Sequence, residues 1–114
     1  MRELVRILKA LSDKNRLRIL KLLENRILSV GEIQQALGLT QPSISMQLKI
    51  LWNAGLVDNK KQGPRTNYFI SAESIYAKVL LKELNSWLSD DEIIKGDLQK
   101  LREINRAKLH YKQE

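Results

Sequence analysis

A chain of 114 residues is long enough to bury one shared core and too short for two independent ones, so a single domain is expected. Its 20 Lys+Arg exceed 13 Asp+Glu, for a net charge of +7, and a basic surface attracts polyanions through long-range fields, which makes nucleic acid the first partner to test. Cysteine is absent, which excludes disulfides, thiolate metal ligands and thiol redox sensing. The first apolar positions are interrupted by Arg2, Glu3, Arg6 and Lys9, unlike a cleaved signal. No apolar run approaches the ~20 residues that cross a bilayer, so the chain is expected in the cytoplasm with no membrane partner.

Leu4, Ile7, Leu8 and Leu11 recur at helical spacing with charges between them, predicting an amphipathic first helix. Ser12 is placed to cap a second helix over Asp13 to Glu24, where Leu17, Leu20 and Leu23 lie on one side and Ile19 and Leu22 on the other. Such a helix should be nearly encircled by neighbours. Ser29 with Glu32 fits a capping box, opening a short helix with Val30, Ile33 and Leu37 inward that ends at Gly38. Thr40 caps the next, Pro42 fits its first turn, and Ile44, Leu48 and Leu51 form a buried stripe to about Ala54.

Gly55 ends that helix, and the runs LVDNKK and TNYFI around Gln62-Gly63-Pro64-Arg65 predict a β-hairpin. Tyr68 and Phe69 should point to opposite faces of its second strand. Ser71 or Ser74 opens a long helix with Ile75, Val79, Leu80, Leu84, Trp87 and Leu88 on its stripe. Ser89 with Glu92 suggests a second capping box, followed by a helix carrying Ile94, Leu98, Leu101 and Ile104 and then a polar tail. This last helix either extends an interface between subunits or folds back on its own.

Two consecutive short helices joined by a tight turn, VGEIQQALG then QPSISMQLKILWNAG, match a helix-turn-helix. The polar face of the second carries Gln41, Ser43, Ser45, Gln47 and Lys49, and no acidic residue occurs between Gln41 and Gly55. A merely solvated face usually alternates Glu and Lys, whereas a groove-facing helix excludes carboxylates because phosphates repel them. Lys60, Lys61 and Arg65 near the hairpin tip suit a wing along a phosphate backbone or minor groove. The fold class is therefore mainly α with a small β-hairpin, a dimeric winged helix-turn-helix.

Residues 4 to about 88, notably LKALSDKNRLRILKLL, SVGEIQQALGLTQPSISMQLKILWNAGLV and the wing ending TNYFIS, resemble the ArsR/SmtB family of winged-helix regulators. The resemblance implies a homodimer built from the first helix and the long helix after the wing, and a repressor released from double-stranded DNA by an effector. It maps DNA reading onto Gln41, Ser43, Ser45, Met46 and Gln47, with Lys49 on a phosphate. The expected dimer interface comprises Leu4, Ile7, Leu8, Leu11, Ile75, Val79 and Leu84. Residues 1–88 would hold the DNA-binding and dimerisation domain, with 89–114 as a C-terminal helix extending it.

The departures concern the effector. Arsenic- and cadmium-sensing members carry a Cys-x-Cys pair where this chain has Ser29-Val30-Gly31, and a hydroxyl and a hydrogen do not replace two thiolates. Zinc- and nickel-sensing members place Asp and His on the long helix, whereas Ser71 to Leu88 contains neither. The lone His110 reads as solvated, and Asp90, Asp91 and Glu92 as first-turn acids facing a helix dipole. No metal or cofactor is implied, and the effector stays unassigned. Trp52 is either packed beneath the wing or part of an apolar surface, with packing favoured because an exposed aromatic invites aggregation. Against an enzyme stand one His, no Cys and no Gly-rich phosphate loop. An interaction module without DNA binding is the other alternative.

Overall fold

Capping chemistry sets where each helix begins. The computed structural model describes the backbone of residues 1–113 and the side chains of residues 1–104. Its elements run α1 (Arg2–Leu11), α2 (Lys14–Leu23), β1 (Leu28–Ser29), α3 (Val30–Leu37), α4 (Gln41–Asn53), β2 (Val57–Gln62), β3 (Arg65–Ile70), α5 (Ile75–Ser86) and α6 (Glu92–Gln113). His110 lies outside the described side chains.

The expected cap of α2 moves by one residue. Asp13 Oδ2 accepts from the N–H groups of Asn15 and Arg16 at 3.0 and 3.1 Å, because a carboxylate answers two orphan donors and the helix dipole together. Ser12 instead donates back to the Lys9 carbonyl at 3.0 Å and closes α1. The box opening α3 forms as expected, with Glu32 N–H on Ser29 Oγ at 3.2 Å and Ser29 N–H on Glu32 Oε1 at 2.9 Å. Gly38 ends it at φ +68°, a left-handed conformation that glycine adopts without a Cβ penalty. Thr40 caps α4 through the Ser43 N–H, and Ser74 rather than Ser71 caps α5 through Ala77.

The second capping box does not form. Asp91 Oδ1 takes the N–H groups of Ile93 and Ile94 at 2.9 and 3.1 Å, so the carboxylate displaces Ser89 for the reason that Asp13 displaced Ser12. The helix then continues through the expected polar tail to Gln113. α5 is correspondingly shorter than its stripe suggested. Trp87 is extended and Leu88 takes φ +68°, turning the chain toward α6.

Ile19 to Leu23 are buried without a break, as expected of an encircled helix. α2 meets Ile33 and Leu37 of α3, Ile44, Leu48 and Leu51 of α4, Leu56, and Val57 at the start of β2 in one core. Each such side chain fully buried contributes roughly 1.5–3 kcal/mol. Lys21 is inside too: its Nζ donates to the Leu84 carbonyl at 2.9 Å and pairs with Glu24 at 2.8 Å. A cation thus sits at the carbonyl end of α5, sharing the Leu84 carbonyl with the Trp87 N–H. Burial pushes the Glu24 carboxyl up from its ordinary pKa, opposed by the hydrogen bond from Lys21.

The antiparallel sheet has the order β1-β3-β2, with Val57 opposite Ile70 and Gln62 opposite Arg65. Tyr68 packs against the core while Phe69 is half-buried. α6 folds back over α2 and α3 of its own chain. Ile94 and Leu101 are buried there, and Asp97, 6% exposed, receives Arg18 through Nε at 2.8 Å and Nη2 at 2.9 Å. That bidentate bond to Asp97 raises the Arg18 pKa against the cost of burial. Among the described residues no helix is long and apolar enough to cross a membrane.

Candidate nucleic-acid interface

α4 stands on three fully buried anchors, Ile44, Leu48 and Leu51, and α3 braces it across the turn Gly38-Leu39-Thr40. Helical spacing then leaves Gln41, Ser45, Met46 and Lys49 exposed and Ser43 half-buried. Gln41 Nε2 donates to Ser45 Oγ at 3.4 Å, aligning the first turn of this row. The helix offers amide, hydroxyl and thioether groups with one ammonium and no carboxylate.

The row differs from expectation by one residue. Gln47 is only 8% exposed, and its Oε1 accepts from Arg16 Nη1 at 2.8 Å. It faces the junction with the N-terminal helices, because the residue directly before Leu48 lies at the edge of the buried stripe.

On the hairpin, Lys60 and Lys61 are exposed opposite Asn67 and Thr66, and Asn67 Nδ2 crosses to Gln62 Oε1 at 2.7 Å. Arg65 is half-exposed but turned back, with Nη2 on Glu32 Oε1 at 2.9 Å. Glu32 also receives Arg26, so the acid of the α3 capping box holds the tip end of β3 as well. Trp52 is 49% exposed at the junction of α4 and β2, its indole N–H donated to Asp58 Oδ1 at 3.2 Å. The favoured packing beneath the wing is therefore corrected: the polar edge of the ring finds its partner at the surface, which draws the indole outward.

The stripes assigned to a dimer interface divide. Leu8, Ile75 and Val79 are exposed, Leu4 and Leu11 are half-buried, and Ile7 and Leu84 belong to the core of their own chain. Periodicity alone does not tell which edge of a stripe meets the core. Val5 and Tyr76, unassigned in the sequence, are exposed, and α1 lies against α5. Trp87 is half-exposed beyond the end of α5. Among the described residues no group of three His, Cys, Asp or Glu is placed to hold a metal ion. Ser29, where thiolate sensors carry a cysteine, spends its hydroxyl on the α3 cap.

The family model for bacterial regulatory proteins of the arsR family matches residues 13–59, which run from the cap of α2 into β2. The transcriptional activator HlyU of Vibrio cholerae is 36% identical over 75 residues, covering 66% of this chain and 69% of that protein. The chain belongs to the ArsR family. The transcriptional repressor SdpR of Bacillus subtilis is 33% identical over 91 residues, covering 80% of this family member and 93% of the repressor. A solved homodimeric winged helix-turn-helix DNA-binding domain from Mycobacterium bovis is 32% identical with a TM-score of 0.63, covering 72% of this chain and 76% of that one. This ArsR-family chain is accordingly a winged helix-turn-helix transcriptional regulator and not an enzyme.

Proposed function

We propose that this regulator acts in the cytoplasm as a homodimeric repressor that places α4 in the major groove of an inverted-repeat operator and lays its wing on the flanking backbone. The observation that carries this reading is the carboxylate-free exposed row of α4 on a fully buried apolar footing. Gln41, Ser43, Ser45 and Met46 supply groups that hydrogen-bond or touch base edges, while Lys49, Lys60 and Lys61 supply phosphate contacts. Arg65 contributes to the wing chiefly by anchoring it to Glu32.

One recognition helix covers only a few base pairs, so operator affinity calls for two copies. Leu8, Val5, Ile75, Tyr76 and Val79 give α1 and α5 an apolar exposed face, and a two-fold pairing through it would bury that face. Residues 1–88 then carry both DNA binding and dimerisation, and 89–114 extend the same domain through α6. No cofactor takes part, and metal ions do not serve as the effector.

Selection of bound duplexes from a random pool tests the reading. It should return an imperfect inverted repeat with half-site centres about one helical turn, roughly 34 Å, apart, with binding that weakens steeply as salt rises. Salt-insensitive binding to a protein, with no duplex enriched, would instead indicate an interaction module. Leu8→Glu with Val79→Glu should give monomers in sedimentation that keep their helical signal and lose most operator binding; a wild-type monomer at micromolar concentration, free and on DNA, would refute the dimer.

A further inference from the structure

Arg16 stands in the first turn of α2 and joins the end of α1 to the middle of α4. Its Nε donates to the Ala10 carbonyl at 2.7 Å and its Nη2 to the Lys9 carbonyl at 3.2 Å. Both acceptors belong to the last turn of α1, where helix carbonyls lack intrahelical partners and a cation meets the negative end of the dipole. From the same planar group, Nη1 donates to Gln47 Oε1 at 2.8 Å. Gln47 is the buried polar residue of α4, next in sequence to Met46 and one turn after Ser43. The guanidinium therefore fixes the end of α1 and the middle of α4 to a single rigid plane, which a lysine, with one nitrogen on a flexible stem, does not reproduce.

We propose that Arg16 is a positioning residue for DNA recognition. Through Gln47 it holds the pitch of α4 relative to α1, so operator discrimination depends on a pair that touches no base. The proposal rests on the DNA-binding reading above and adds to it a route by which a shift of α1 in the dimer reaches the recognition helix.

The physical asymmetry between contact types supplies the signature. Base-edge hydrogen bonds fail within a few tenths of an ångström and a few tens of degrees, whereas attraction to phosphates decays over about 8 Å at physiological salt. A tilted α4 loses discrimination before it loses affinity for DNA in general.

The test compares wild type, Arg16→Lys, Gln47→Met and the double variant on a selected operator and a scrambled duplex over a range of salt. Each single variant should lower the operator-to-scrambled ratio about tenfold, a size typical of coupled contacts, with the loss spread over several base positions. Scrambled-duplex affinity and the salt slope should stay as in wild type. The double variant should be no worse than the worse single, since both cut the same link. Losses that multiply in the double, a loss confined to one base position in Gln47→Met, or unchanged ratios in both singles would each overturn the proposal. Gln47→Met preserves side-chain size and carries the test by itself should Arg16→Lys fail to fold. A wild-type protein with no salt-dependent duplex binding would refute the DNA reading and this role with it; a discriminating wild type with discriminating variants would refute only the role of Arg16.

Discussion

α4 and the wing present adjoining surfaces but are held by opposite means. α4 rests on Ile44, Leu48 and Leu51, all fully buried, and is tied by Gln47 to Arg16. β2 leaves the core after Val57, and every residue from Asn59 to Gln62 is exposed, held by pairing to β3 and by Arg65 on Glu32. The difference follows the two kinds of contact proposed for them. Base reading demands fixed geometry and sits on a packed helix; phosphate attraction tolerates motion and sits on a hairpin.

Removing an anchor of α4 should have the largest effect. Leu48→Ala should cost about 2–5 kcal/mol of stability in urea unfolding, with the spread set by how far the cavity collapses; a cost below about 1 kcal/mol would mean that α4 is not seated in the core as described. Glu32→Ala ranks next. It removes half of a capping box and the charge-assisted bonds from Arg26 and Arg65, for about 2 kcal/mol in the same assay. Proteolysis should then also attack the wing before α4, and simultaneous cleavage of both would mean that the wing is held no more loosely than α4. Lys61→Ala is the mildest change, with stability within about 0.5 kcal/mol of wild type and the salt slope of duplex binding reduced by about one. An unaltered slope would remove Lys61 from the proposed phosphate contacts.

Most of α4 was legible in the sequence because its signals are local: Thr40, Pro42, the Ile44-Leu48-Leu51 spacing and Gly55 lie within one short segment. The wing was legible from Gly63-Pro64 between two strand-like runs. What escaped was long-range or decided by competition between neighbours. Gln47 reads as one more polar residue until Arg16, 31 positions away, is seen to reach it. Arg65 reads as a tip cation until Glu32 turns it back. Ser12 and Ser89 are sound caps that lose to nearby carboxylates, Asp13 and Asp91. β1 is two residues long, too short to show alternation. Ile7 and Leu84 share stripes with exposed residues, and only the packing of α1 and α5 shows which edge faces inward.

On the proposed reading, the exposed row of α4 reads sequence while the wing supplies general affinity. The most direct measurement is the affinity of Ser45→Ala and Lys61→Ala for the selected operator, each of its single-base variants and a scrambled duplex, across salt. Ser45→Ala should lose about 1–3 kcal/mol of discrimination at one or two neighbouring positions in each half-site and keep the wild-type salt slope, while Lys61→Ala should weaken all duplexes alike. Equal loss on operator and scrambled DNA for Ser45→Ala would mean that this row of α4 does not read base sequence.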